Sequence, residues 1–379
     1  MVKTRLVQVG DCAKIVNGFA FRSELFTTDR TGLPVVRIRD VVRGRTETYY
    51  SGEYLASAVI RNGNVLVGMD GEFNIAPWQG GTALLNQRVC KVEAIAGVSD
   101  IAYLRHALAI ALKRIEHRTP FATVKHLSSE ELKEETIPLP DLFEQQRIAE
   151  QLGQADRLLC TRRFARDLTD TFLPASFLEL FGDPLRNARG WSVYELEELA
   201  TVERGKFTPR PRNDPSYYGG RFPFIQTGDI SASEGRLRSW TQTLNDKGVK
   251  VSRSFPPGTV VIAIVGATIG MTAILDVDVY CPDSVVGIQV NPKAATKEYI
   301  EFLLRFWRPV FLAQAPETAR ANINLDTLRP LRIPVPPLPL QQKFADLVER
   351  VERLRAVQRE ALRQAEHLFA SLLHRAFRG

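Results

Sequence analysis

The chain has 379 residues, a net charge of +7 and a hydrophobic fraction of 44%, which suits two ordinary soluble domains, each with its own core. No apolar run reaches the ~18 residues of a membrane span, and the N-terminus, MVKTRLVQVGDCAKIV, lacks the apolar stretch of a secretory leader. The four cysteines, Cys12, Cys90, Cys160 and Cys281, form no CxxC pair, so the expectation is a cytoplasmic protein with reduced thiols and no zinc site.

Taken in chain order, the sequence predicts a β-rich stretch with short runs such as VVRIRDV and NVLVGM, bounded by Gly, Pro and Asn. A helix follows near 103–115, then the Pro-rich strand exit IPLP and a long helix over about 142–181. The same order then repeats: runs such as TVVIAIV and VVGIQV, a helix near 299–307, the exit IPVPPLP, and a second long helix over about 340–377. Pro174 should kink or break the first long helix.

Self-comparison shows that this is a duplicated unit. Val9, Ala13, Ile15 and Gly18 match Leu196, Ala200, Val202 and Gly205. LPVVRIRDV (33–41) resembles FPFIQTGDI (222–230), NGNVLV (62–67) resembles PGTVVI (257–262), and IPLPDLFEQQ (137–146) matches IPVPPLPLQQ (333–342), at offsets that creep from 187 to 196. In the second long helix Leu347, Val351, Leu354, Gln358, Ala361, Ala365, Leu368 and Leu372 alternate four and three apart, as in a coiled-coil seam. Positions 196 earlier give a more polar seam: Gln151, Ala155, Leu158, Arg162, Ala165, Thr169, Phe172 and Ser176. Arg162 either fixes register, like Gln358 at the same repeat position, or reaches out to solvent.

The reading is therefore a mixed α/β protein with a pseudo-two-fold internal repeat and a long antiparallel two-helix coiled-coil spacer. The expected parts are a first globular domain (1–140), a central helix (141–182), a second globular domain (183–337) and a distal helix (338–379).

LVGMDGEFN (66–74), LNQRVCKV (85–92), TVKHL (123–127), IPLP with EQQRI (137–148) and FLELFGDP (177–184) resemble the first half of type I restriction–modification specificity subunits. IAIVGATIGMTAIL (262–275), CPDSVVGIQV (281–290), NINLDTL (322–328) and IPVPPLPLQQ (333–342) resemble the second half. The resemblance covers nearly the whole chain. It implies two target-recognition domains that each read half of a bipartite site in double-stranded DNA, with the helices setting the unread spacer. It also implies docking of two modification (methyltransferase) subunits that carry S-adenosylmethionine, and further assembly with ATP-dependent restriction subunits.

The chain itself reads as non-catalytic and free of cofactor. A methyltransferase needs a Gly-rich cofactor loop and, for adenine, a [DNS]PP[YF] segment; SFPPG (254–258) lacks the aromatic. GATIG (266–270) lacks the Lys-Ser/Thr pair of a phosphate loop, and PDSVVGIQVNPK (282–293) lacks the acid-x-Lys triplet of a nuclease. The rival readings are a coiled-coil scaffold or regulator that no longer reads DNA, and a methyltransferase with a disguised cofactor site.

The positive charge points to a polyanion, and 38 of the 50 basic residues are arginine, the side chain suited to phosphate and guanine. In the first domain the DNA-contact candidates are Arg37 and Arg39 at a strand end, the polar loop Asp70, Glu72, Phe73 and Asn74, and Thr123, Lys125 and His126 before the exit strand. In the second they are the basic segment Arg204, Lys206, Thr208, Arg210 and Arg212, then Gln226 and Thr227, then Arg320, Asn322 and Asn324. Asp40 and Asp229 align in the two copies and read better as turn residues. The glutamine pairs 145–146 and 341–342 read as contacts that cap or anchor the long helices.

Overall fold

A computed structural model describes residues 5–118, 125–314 and 323–377. Two units divide the chain: Met1–Arg163 with Glu360–Gly379, and Phe164–Arg359. Each holds one β-rich domain and a stretch of both long helices, the central one at Leu142–Phe181 and the distal one at Leu338–Phe377.

In the first unit the strands Ala13–Asn17, Val89–Ala94, Val65–Gly68 and Ile75–Pro77 lie side by side, all antiparallel. Val65–Gly68 is buried along its whole length. The helix Ile101–Arg118 buries Leu104, Leu108, Ala111, Leu112 and Ile115, spaced three and four apart as a core-facing stripe requires. The strand Arg5–Gln8 pairs with the exit strand Thr136–Leu139 and closes the domain.

The second unit repeats this plan with Ala200–Arg204, Val285–Val290, Val260–Ala263 and Thr272–Leu275, plus the edge strand Arg236–Leu237. Ser192–Glu195 pairs with Arg332–Val335, and the helix Lys297–Gln314 covers the core. Its center is aromatic: Phe177 at the end of the central helix stacks on Tyr299 at 5.5 Å and meets Phe344 edge-on at 5.4 Å.

The repeat extends to single hydrogen bonds, each spanning buried polar groups that would otherwise be unsatisfied. Gln145 is fully buried; its side chain accepts from Asp100 N–H at 2.9 Å and donates to Val98 O and Pro140 O. Gln341, 196 residues later and equally buried, accepts from Thr296 N–H at 2.9 Å and donates to Pro336 O at 2.8 Å. The Tyr103 and Tyr299 hydroxyls donate to Pro138 O and Pro334 O respectively. These anchors fix each domain to the first turn of the helix that leaves it.

Within each unit the long helices pack antiparallel. In the first, Leu159 meets Leu362, Ala365 and Phe369. In the second, Thr169 Oγ1 donates to Gln358 Oε1 at 3.0 Å, Gln358 Nε2 donates to Ala165 O at 3.3 Å, and Phe181 meets Phe344. The distal seam runs Phe344, Val348, Val351, Arg355, Gln358, Leu362, Ala365, Phe369, Leu372 and Ala376. This corrects part of the expected series: Val351, Gln358, Ala365 and Leu372 belong to it and Leu347 packs beside it against the second core, whereas Ala361 lies half-buried one residue to the side and Leu354 and Leu368 are exposed.

The same shift holds in the central helix, where Leu152, Ala155, Leu159, Thr169 and Leu173 are buried while Leu158, Arg162 and Phe172 are exposed and Ala165 is half-buried. The reason is Arg355. A buried guanidinium sits in the seam, paired with Glu352 at 2.9 Å and Asp170 at 3.0 Å, where an apolar pattern would not place it. The break expected at Pro174 is absent: the helix continues through it, with Leu173 and Phe177 buried on either side.

His106 stands where the second repeat has Phe302. It is buried against Phe369, with its Nε2 2.9 Å from Arg105, whose guanidinium pairs with Asp156. Burial, and then the Arg105 charge, push its pKa down to about 4, against a weaker upward pull from Asp156. An unfolded histidine titrates near 6.5, so acid protonates the unfolded chain first. The contribution of His106 to the stability of the first domain is complete above pH ~6.5 and is lost as the pH drops toward 4, about 3 kcal/mol at ~1.4 kcal/mol per pH unit. The variant His106→Phe should lose most of that extra drop between pH 7 and 4.5, as measured by urea unfolding. An unchanged drop would show that His106 is not its source.

Cys12, Cys90 and Cys281 are buried and Cys160 is exposed, none in a disulfide. Burial pushes the Cys12 thiol up to about 11 and Cys90 to about 12, as befits unreactive core residues.

Candidate nucleic-acid interface

In the first domain three loops are stitched together at one edge of the main sheet. Met69 N–H donates to Arg88 O at 3.0 Å, Leu127 N–H to Met69 O at 2.7 Å, and Gly71 N–H to Lys125 O at 2.9 Å. Gly18 lets the end of strand Ala13–Asn17 approach this edge, because a Cβ there would lie 2.0 Å from Asn86 O. On that frame Asp70 accepts from His126 Nδ1 at 2.5 Å and pairs with Arg88 Nε at 3.3 Å. Lys125 Nζ donates to Glu116 O at 2.7 Å. Glu72 is exposed, and the half-buried Asn74 binds Gly68 N–H through its backbone oxygen. Phe73, expected to offer a ring to DNA, is 7% exposed and packs in the core with Met69, so that expectation is corrected.

The second domain repeats the stitching with other side chains. Ile264 N–H donates to Ser284 O and Ile323 N–H to Ile264 O, both at 3.0 Å. Gly205 replaces Gly18, with Pro282 O 2.3 Å from where a Cβ would be. Here Asp283 gathers the basic segment. Arg212 Nη2 lies 2.7 Å from both of its carboxylate oxygens, Arg210 is 3.7 Å away, and Arg204 Nε donates to Asp283 backbone O at 2.5 Å. The Tyr218 hydroxyl donates to Arg212 O, and burial raises its pKa against a lowering pull from Arg212. Lys206 and Thr208 are exposed beside them.

The remaining candidates are more scattered. Arg37 lies over the Phe26 ring at 4.9 Å, and Arg39 is 3.8 Å from Asp40. Gln226 donates to Gln242 at 3.0 Å, and Thr227 opens the short helix Thr227–Ala232. Asn324 caps a helical turn by accepting from Thr327 N–H at 2.9 Å. Thr123, Arg320 and Asn322 lie outside the described residues. Asp40 and Asp229 are turn residues: their carboxylates accept from the N–H of Arg37 at 3.0 Å and of Gln226 at 2.7 Å.

Sequence reading passed over Arg88 and Asp283. Both lie within family-type runs, Arg88 in LNQRVCKV and Asp283 in CPDSVVGIQV, and neither was singled out as a contact. No cluster of three or more His, Cys, Asp or Glu able to hold a metal occurs among the described residues. No helix there is long and apolar enough to cross a membrane.

The helices carry a second feature. In the second unit Phe172 and Leu354, 48% and 50% exposed, each precede a seam residue by one position. Leu368 and Leu158 in the first unit, their counterparts at the 196-residue offset, are 42% and 39% exposed. Equal offsets on antiparallel helices put each pair on one side, so each unit displays the same apolar patch.

The duplicated scaffold, the basic edges and the paired long helices define a two-domain DNA-reading protein. The family model for the type I restriction modification DNA specificity domain matches residues 1–163 and 188–367. The chain is 30% identical to the specificity subunit of the type I restriction enzyme EcoBI of Escherichia coli, over 98% of this chain and 85% of that one. In fold it resembles the S subunit of a type I restriction–modification system from M. genitalium: TM-score 0.63, 15% identity, 100% of this chain and 97% of that one covered. A chain from a structure of type I assembly and conformational transition gives TM-score 0.53 at 19% identity, with 99% and 98% covered. The chain therefore belongs to the type I restriction–modification DNA-specificity family. It is a non-catalytic specificity subunit that binds no cofactor and works within a type I complex, where the modification subunits bind S-adenosylmethionine.

Proposed function

We propose that each globular domain reads one half of a bipartite site in double-stranded DNA through the stitched edge of its main sheet, while the long helices set the unread spacer. Two modification subunits dock on the repeated apolar patches, ATP-dependent restriction subunits join that core, and the assembly works in the cytoplasm. The observation that carries this is a scaffold whose loop-stitching and anchoring bonds recur in both copies while its edges bear different charged side chains, as two readers of different sequences require. The scaffold-only alternative gives no reason to gather Arg210 and Arg212 on the Asp283 carboxylate and Arg204 on its backbone oxygen, since like charges repel. Phosphate contacts give affinity and base edges give specificity.

Lys206 is exposed beside the arginines and is assigned to phosphate. In the assembled complex, Lys206→Ala should weaken binding about equally on all duplexes and lower the log–log salt slope by about 1. Fluorescence anisotropy over a salt series reads both quantities. Unchanged affinity and slope would remove this edge from the DNA interface.

A further inference from the structure

Both domains hold an arginine against a carboxylate at the same edge, built from different residues. In the first, Arg88 stands on the loop before strand Val89–Ala94 and leans on Asp70. In the second, the corresponding loop supplies the carboxylate, Asp283, and the arginine comes from the segment after Ala200–Arg204. The backbone bonds put Arg88 level with Ser284 and Met69 level with Ile264, so Asp70 corresponds to Val265. The pair was therefore not inherited with the scaffold. Features that serve the scaffold keep their positions, as Gln145 and Gln341 do.

From this we propose that Arg88 and Arg212 each read a guanine, one per half-site, and that Asp70 and Asp283 are positioning residues that aim them. The inference rests on the reading that each domain binds a half-site, and deepens it. Stability alone is a poor reason for the pairs, because an exposed ion pair adds little and the second site crowds arginines around one acid. The chemistry matches the guanine edge. Its O6 and N7 accept two parallel donors from a guanidinium, and a long arginine must be oriented to offer them. Asp283 holds Arg212 through Nη2 and leaves Nε and Nη1 without a hydrogen bond among the described residues; either of these, together with the neighboring Nη2–H, supplies the parallel pair of donors that guanine accepts. A carboxylate at this edge is repelled by phosphates and can accept from a cytosine amino group, so it favors a base edge over the backbone. His126, bonded to Asp70 in the first domain, fixes that carboxylate further.

The test uses the full chain assembled with its modification subunits, with methylome sequencing in a methylation-deficient host and anisotropy on single-substituted duplexes. The wild-type motif should contain a guanine in each half-site. Asp283→Asn should relax one G·C position of one half-site from tenfold or stronger discrimination to about threefold or less. The other half-site and the salt slope should stay as they were. Asp283→Glu should restore most of the preference, and Asp70→Asn should relax a guanine in the opposite half-site only. A half-site without guanine, or an unaltered motif in both Asp→Asn variants, overturns the inference while the bipartite reading stands. A wild-type motif that is not bipartite overturns both. Thermal melting controls for folding, and Arg212→Lys offers a second variant with the same expected loss at the same position.

Discussion

Phe172→Glu combined with Leu354→Glu is expected to strip the assembled complex of one of its two modification subunits. Both side chains are about half exposed on the chain alone, so the substitutions cost the fold little. In the complex the exposed half of each would be covered, contributing about 0.8–1.5 kcal/mol, half the value for burying such a side chain entirely. Losing two removes on the order of 1.5–3 kcal/mol before the cost of burying carboxylates is added. At about 1.4 kcal/mol per tenfold, affinity falls by one to two orders of magnitude at that patch from lost burial alone. Leu158→Glu with Leu368→Glu should do the same at the other patch, and the quadruple variant should release both copies. Native mass spectrometry reads the stoichiometry directly. Full two-to-one complexes with the quadruple variant would show that the partners dock elsewhere.

The second large effect concerns spacing. One added heptad in each long helix keeps the seam in phase and lengthens each by about 10 Å at 1.5 Å per residue. That is close to three base-pair steps at ~3.4 Å. Both half-sites should survive while the unread gap between them widens by about three base pairs, and the original site should lose methylation. Insertion sites on the exposed side of the helices, away from Arg355 and its partners Glu352 and Asp170, avoid a buried charge left unpaired. Retention of the original gap, with altered half-sites, would mean that the helices do not measure distance.

The duplication, the long helices and their limits were legible because they rest on long, regular signals: a repeat offset, Pro-rich exits and apolar spacing. The anchoring role of Gln145 and Gln341 was legible for the same reason, since two copies of one residue at one position ask for one explanation. The seam was half legible. Leu354, Ala361 and Leu368 are as apolar as Leu362 and Phe369 of the seam beside them, and Arg355 speaks against the true stripe. A sequence cannot distinguish the helix face that packs within the chain from one left for a partner, because both are apolar at heptad spacing. At the DNA edge, single polar residues gave the location but not the pairing. Asp70 and His126 lie 56 residues apart, and Arg212 and Asp283 lie 71 apart. Such contacts exist only once the sheet has brought the loops together. Phe73 misled because an aromatic in a polar loop can turn either way, and here it fills the core.

The central claim is that this chain supplies two separate half-site specificities, one per domain, to an assembly that methylates DNA. Methylome sequencing of a methylation-deficient host carrying the modification subunits, with and without this chain, tests it most directly. The account predicts methylation only when the chain is present, at a motif of two short half-sites separated by a fixed unread gap. Methylation at the same sites without the chain, or at one uninterrupted motif with it, would contradict the account.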